Sequence, residues 1–349
     1  MISTKPRVQK FQGSTTFQGF YLRQNINGTN ALPVPAPYDL CPDIIQSIAA
    51  LSNPANTLAS SSAWANTYNV APAIGQENYF YVRGMNGTQI PVNSQISLYY
   101  APAQLILLPE TWENNILSTA GGQSTVAVKA GAGSVAVTAD PFVWPATPAP
   151  ATGSDFYSFV AQVNNAADGN PVPTIDSWLD MSELLTQNLG FGFRNTCQVE
   201  SNATTWAHQF MLNIPDTITD PSTLQVVIST AGMNGNTFSL KSNDTGNLIN
   251  FLPFTASGNS SFTSMNVVPP TTGYSASLTL GYENNAGTFP AQGAAVTVSI
   301  NYLVPDTEIH EAGMRGLLQP GLSKVMSSND AGMPVQQFAL IGSITFVVA

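Results

Sequence analysis

Two histidines, His208 and His310, and two cysteines, Cys41 and Cys197, are the only residues of their types among 349, so the catalytic options are narrow from the start. Acyl transfer by a serine or cysteine needs a base within hydrogen-bond reach of the nucleophile and a third group to orient that base. His208 follows Trp206 at the start of an apolar run and reads as a packing or hydrogen-bonding residue. His310 sits in Glu308-Ile309-His310-Glu311; a closed zinc site takes about four His, Cys or carboxylate ligands, so this tetrapeptide reads as a solvated turn. There is no CxxC or HExxH. Calcium wants clustered oxygens at loop spacing, and the nearest candidate, Asn164-Asn165-Ala166-Ala167-Asp168-Gly169-Asn170, reads as a polar turn. Glycoside hydrolysis needs two carboxylates in one cleft, and no spacing among the 20 acids singles out a pair. Gly131-Ala132-Gly133 lacks the following helix and lysine of a phosphate loop. The expectation is a non-enzyme with no catalytic, cofactor-binding or metal-binding residue and no cofactor.

Ligand binding is left to the aromatic residues. Of the five tryptophans, Trp64 and Trp112 are candidate platforms for stacking on sugar rings if they stand exposed in loops, whereas in a sandwich most large aromatics fill the core. Cys41 and Cys197 lie far apart in sequence and pair only if the fold brings them together; otherwise they read as two buried free thiols.

Composition removes further classes. Charged residues are 9% of the chain and the net charge is −10, with ten basic residues scattered singly, so there is no basic stripe for nucleic acid or anionic lipid. No run approaches the roughly 18 apolar residues of a membrane helix. The start, MISTKPRVQKFQGSTTFQGF, has basic residues without the apolar core of about 7–15 residues that a secretory signal needs. The expected location is an extracellular assembly or virion, reached after cytoplasmic synthesis without a visible signal peptide.

The elements that must position these residues are strands. Tyr79–Arg83, Gln95–Tyr100 and Phe156–Val163 alternate with period two between turn residues. Asn86-Gly87 and Ala130–Gly133 are turn signals that predict antiparallel neighbours on either side. Strand patterns resume at His208–Ile214, Leu224–Ser229, Thr237–Lys241, Ser275–Tyr282 and Ala294–Leu303. Between the two sets, Asp176–Leu185 predicts a short helix with Asp176 or Asp180 as N-cap and Gly190 as stop. The expected organisation is an extended N-terminal arm (1–38), a β-sandwich (39–175), a helical junction (176–190), a second β-sandwich (191–305) and a C-terminal tail (306–349). In that tail one or two helical turns within Asp306–Leu318 precede an apolar strand, Gln337–Val348, with no sequence neighbour to pair with. The fold class is all-β, with two tandem immunoglobulin-like antiparallel sandwiches and extended terminal arms.

The motifs of the first sandwich occur in a familiar order: Cys41-Pro42-Asp43-Ile44, then Ala73-Ile74-Gly75-Gln76-Glu77-Asn78-Tyr79-Phe80-Tyr81-Val82-Arg83, Ser97-Leu98-Tyr99-Tyr100, Trp112, Ala130-Gly131-Ala132-Gly133-Ser134-Val135 and Pro141-Phe142-Val143-Trp144-Pro145. Over roughly residues 40–165 this order resembles the bacterial CARDB-type (cell adhesion related) immunoglobulin-like domains, with a long insert around Leu51–Tyr68. The resemblance implies an immunoglobulin-like fold and an adhesion role.

Two functions are expected to compete. The first is a structural protein that assembles into a homo-oligomer, filament or shell through its sandwiches and strand-forming arms, with Phe338, Leu340, Ile344, Phe346 and Val348 as the assembly strand. The alternative is an adhesion module for a glycan or host surface, alone or within a toxin or secreted complex.

Overall fold

Period-two runs resolve into nineteen strands among the described residues, which in this computed structural model are 16–34, 36–68, 70–165, 169–218, 222–269, 273–318 and 336–349. The first half contributes β1 (Phe20–Tyr21), β2 (Ile44–Ser47), β3 (Asn78–Asn86), β4 (Val92–Pro102), β5 (Ser118–Thr119), β6 (Val126–Ala130), β7 (Val135–Val137), β8 (Phe142–Trp144), β9 (Tyr157–Asn165) and β10 (Phe191–Asn195). One sheet centres on β3, flanked by β1 and β2 on one side and by β7 and β8 on the other, with β5 beyond β8; the facing sheet runs β10-β9-β4-β6. Phe80, Val82, Ile96, Leu98, Phe142 and Phe159 fill the space between them. Short helices α1 (Pro54–Leu58) and α2 (Ser61–Trp64) lie in the insert, and α3 (Pro109–Trp112) follows β4.

After α4 (Trp178–Gln187) and β10 the chain builds the second sandwich from β11 (Gln198–Val199), β12 (Thr205–Asn213), β13 (Leu224–Ala231), β14 (Thr237–Ser242), β15 (Asn250–Thr255), β16 (Ser260–Val267), β17 (Ser275–Glu283), β18 (Ala295–Val304) and, past α5 (Ile309–Met314), β19 (Gln337–Val348). Its sheets run β11-β19-β18-β13-β16 and β12-β17-β14-β15.

The two sandwiches repeat one topology. In the first, β3 lies beside β8, β4 beside β9, and β10 outside β9; in the second, β12 lies beside β17, β13 beside β18, and β19 outside β18. In both, the chain between the second and third of these core strands goes first to the β8 or β17 side (β5; β14 and β15) and then to the β4 or β13 edge (β6; β16).

Several expectations are corrected. The turns at Asn86-Gly87 and Ala130–Gly133 do not close hairpins: β3 and β4 sit in opposite sheets, as do β6 and β7, because their apolar faces meet across the core. β10, expected in the second sandwich, completes the first by pairing with β9, since α4 returns the chain antiparallel to that strand. Ser177 caps α4, its hydroxyl accepting from the Asp180 amide at 3.2 Å and donating to the Asp180 carboxylate at 2.8 Å, an N-cap that falls between the two expected, Asp176 and Asp180. The N-terminal arm, from Thr16 on, packs on its own sandwich through the β1–β3 pair; residues 1–15 lie outside the described residues, as does 319–335 of the tail.

The largest correction concerns the assembly strand. β19 pairs antiparallel with β18 along its whole length and parallel with β11 at its end, and Phe338, Leu340, Ile344, Phe346 and Val348 are all buried in their own chain. An apolar strand without a sequence neighbour found its partner in the strand that precedes it in the sheet, across the α5 segment. β19 is thus a structural member of the second sandwich and not an assembly strand.

The first sandwich is not covered on one side only. Tyr99, Ala101, Val160, Phe191 and Phe193 stand on the outer face of the β10-β9-β4 sheet and belong to a cluster that continues through Trp112, α4 and Ile341 into the interior of the second sandwich. The backbone after β4 joins in: Leu105 N–H donates to the Met211 carbonyl and Met211 N–H to the Ala103 carbonyl, at 2.7 and 3.0 Å. Gly342 of β19 crosses this segment so closely that a Cβ there would stand 2.0 Å from the Leu105 carbonyl oxygen. A shared core should unfold as one calorimetric transition. Gly342→Ala is expected to lower stability by about 3 kcal/mol in urea unfolding through overpacking against backbone. Gly121→Ala, whose Cβ would meet nothing nearer than 3.7 Å, is expected to stay within about 0.5 kcal/mol of wild type.

Candidate functional site

Charged side chains are scarce, and the densest group of them lies beneath the insert. β3 turns Phe80 and Val82 into the sandwich core, which puts Tyr79, Tyr81 and Arg83 on the opposite face of the strand; Tyr81 packs there with Ile45 and Leu58 of the insert. Arg83 is buried beside Asp43, which is also buried, with Nε donating to Oδ1 at 3.0 Å. Its other four N–H groups donate to the carbonyls of Leu58, Ala63, Pro42 and Asn66, so all five guanidinium donors are satisfied. Arg23 grips both oxygens of Asp43, at 2.6 and 3.1 Å, donates to the Trp64 carbonyl, and lies flat on the Trp64 ring 3.3 Å from its centroid. Arg194, from β10, donates to the carbonyls of Ile44 and Tyr68.

Helix ends explain why the insert folds onto these cations. The last carbonyls of a helix have no intrahelical partner and carry the negative end of its dipole. The Leu58, Ala63 and Trp64 carbonyls, at the C-terminal ends of α1 and α2, point at guanidinium groups and hold residues 58–68 against the sheet. Burial pulls Arg194 down to about 10, which leaves it charged at neutral pH. Cys41, next to this cluster, is pushed up to about 12 by burial and by Asp43, and burial raises Cys197 as well; both are free thiols held in the neutral form.

A second buried carboxylate lies where the sandwiches meet. Asp39 accepts hydrogen bonds from Asn195 Nδ2 of β10 and, on β19, from Ser343 Oγ, Thr345 Oγ1 and the Thr345 amide, at 2.6–3.0 Å. Burial raises its pKa, and these four bonds pull in the opposite direction without cancelling the rise. The adjoining cavity, lined by Asp39, Tyr38, Gln104, Asn195 and Ser343 among others, measures about 20 Å³, the size of one water and too small for a substrate.

The candidate platforms are not open. Trp112 has no exposed surface: its Nε1 donates to the Leu107 carbonyl at 3.1 Å and its ring packs against Tyr99 and Phe191. Sequence position after β4 suggested a loop, but the outer face of the sheet needed a cover and α3 supplies it. Trp64 is half-buried, with one face occupied by Arg23. His208 is half-buried, 3.3 Å from Asp155 and packed among Phe156, Trp206 and Phe346; His310 is exposed on α5. Of Asn164–Asn170, residues 166–168 lie outside the described residues. Among the described residues no three His, Cys, Asp or Glu side chains stand close enough to share a metal ion, and no helix is long and apolar enough to cross a membrane. Reasoning from the sequence missed the arginine cluster; its signal was an arginine within each of two apolar strands, at Tyr79–Arg83 and Phe191–Asn195.

No family model and no curated protein matches the chain. Among solved structures, the adhesive subunit CfaE of the CFA/I fimbria of enterotoxigenic Escherichia coli is similar over 97% of this chain and 94% of its own, at 12% identity and a TM-score of 0.21. Red sea bream transglutaminase matches 69% of this chain and 30% of its own, at 11% identity and a TM-score of 0.21. The CBM22-1-CBM22-2 tandem of Paenibacillus barcinonensis Xyn10C matches 78% of this chain and 83% of its own, at 9% identity and a TM-score of 0.18.

Both buried carboxylates have expected signatures. Asp43→Ala leaves two buried guanidiniums, those of Arg23 and Arg83, without their anion and is expected to cost about 3–5 kcal/mol in urea unfolding, with new protease cuts within 49–77. For Asp39 the folded pKa lies above the ordinary 3.8, so the native state binds more protons and stability falls as pH rises from about 4 through the folded value. Asp39→Asn removes the charge while Ser343 and Thr345 hydroxyls turn to accept from the new amide. Denaturant midpoints across pH 3–8 are expected to lose that slope, with the variant at least as stable as wild type at pH 7.

Proposed function

We propose that the protein is a non-enzymatic structural protein that assembles with copies of itself. One observation carries the reading: all four arginines among the described residues are consumed in holding the chain together. Arg23, Arg83 and Arg194 are buried on Asp43 and backbone carbonyls, and Arg315, just past the end of α5, is tied to Asp180, Glu183 and Glu311. One long stretch of the second sandwich is uncharged: residues 245–282 contain no Asp, Glu, Lys, Arg or His. Few ions then need desolvation when neighbours pack closely.

Each half is read as an immunoglobulin-like sandwich. The pairings of β12 with β17, of β13 with β18 and of β18 with β19 follow the B–E and C–F–G pairings of that fold, with the visits to the two edges between them made in the opposite order. The CARDB-like reading of residues 40–165 belongs with this proposal, as does an extracellular or virion setting. A filament, shell or fixed oligomer is compatible with the same rigid two-sandwich unit.

Light scattering of the full-length chain over a dilution series, with negative-stain imaging of the same sample, tests the proposal. Regular particles well above 36.9 kDa are expected. A monomer at every concentration would sink the assembly reading and turn attention to adhesion or glycan binding, tested by glycan screening.

A further inference from the structure

Sheet edges are where β-proteins meet other chains, and most edges in this molecule are guarded. β10 is bordered by Asp39–Cys41, whose backbone bonds to Phe193 and Asn195. β19 is bordered by β11 and by Asp39, which captures the Thr345 amide. The free side of β12 bonds to Ala103, Leu105 and Asp155. β15 contains Pro253, β6 carries the exposed Lys129, and β5 has two residues.

β16 has none of these devices. It is eight residues long, Ser260-Ser261-Phe262-Thr263-Ser264-Met265-Asn266-Val267, without proline, glycine or charge, and among the described residues it pairs with β13 alone. Met265 and Val267 pack on the core, so Phe262, Ser264 and Asn266 occupy the outer face, with Phe262 47% exposed. Val268, just beyond the strand, and Leu252, on the edge strand reached through the four-residue connection 256–259, are 52% and 79% exposed.

We propose that the outer edge of β16 pairs antiparallel with β16 of a second copy, joining two second sandwiches through one continuous sheet; this rests on the self-assembly reading above. Two observations select a second copy as the occupant. A chain of net charge −10 repels its own kind, and the uncharged stretch 245–282 that contains β16 is where two copies approach without that repulsion. Antiparallel pairing of identical strands about a two-fold axis gives each copy the same donors and acceptors, so one surface completes both edges.

The test combines light scattering with hydrogen exchange of the β16 amides in the full-length protein, in dilute and concentrated solution. The expected result is protection of residues 260–267 that grows with concentration in step with particle mass. The double variant Phe262→Lys/Ser264→Lys, which sets like charges across the axis on outward-facing positions, is expected to weaken that association at least tenfold. Gln123→Lys/Thr125→Lys, adding the same charge on exposed positions of the first sandwich, is expected to leave it unchanged. Association with no concentration-dependent protection at 260–267 overturns this inference and leaves the assembly reading standing. A wild-type chain that is monomeric throughout overturns both.

Discussion

The outer face of the β10-β9-β4 sheet is buried like its inner face, and the rest of the molecule is arranged around the need to cover it. A sheet buried on both sides must have a second layer on each. On the inside that layer is the β3 sheet; on the outside it is α3, α4 and the strand β19 of the other sandwich. The two halves therefore share a continuous core and are not beads on a linker. Gly342 marks the tightest point of that contact, where one backbone crosses another with no room for a side chain. Asp39 pins the same junction with four hydrogen bonds and, among the described residues, no salt-bridged cation, an arrangement that satisfies direction but not charge.

The insert shows a different solution to the same problem of coverage. Its two short helices could not stand alone, since isolated helices below about 12 residues are marginal in water. Here their carbonyl ends meet two guanidiniums, those of Arg83 and Arg23, and Trp64 closes over Arg23. Arginine suits this place better than lysine, because a planar group with five fixed donors can hold several carbonyls at once. The cluster has no donor of Arg83 left for a ligand, which is why it reads as scaffold.

Much of the strand content was legible in the chain. The long alternating segments Tyr79–Arg83, Gln95–Tyr100 and Ser275–Tyr282 became β3, β4 and β17, because a period of two on a half-buried surface leaves a clear trace. β15 and β16 went unseen: β15 exposes Leu252 and contains a proline, and β16 sets Phe262 outward while Ser261 and Thr263 face inward, so polarity hardly alternates. The capped helix at 178–187 was legible, but its seven buried positions were not, because a ten-residue stretch does not reveal that it will be packed on both sides.

The sequence by itself determined that the chain is built of strands, that its charges are few, and that Gln337–Val348 had to be buried in a sheet; these follow from local period and composition. Tertiary structure decided which strands became neighbours. The Gly-rich turns crossed between sheets, β10 joined the first half, and β19 returned to its own chain. Pairing is chosen by complementary apolar faces and free backbone edges far apart in sequence, and neither leaves a mark on the residues nearby. The same holds for Arg23, Asp43, Arg83 and Arg194, four residues from four separate segments whose meeting only the folded chain reveals.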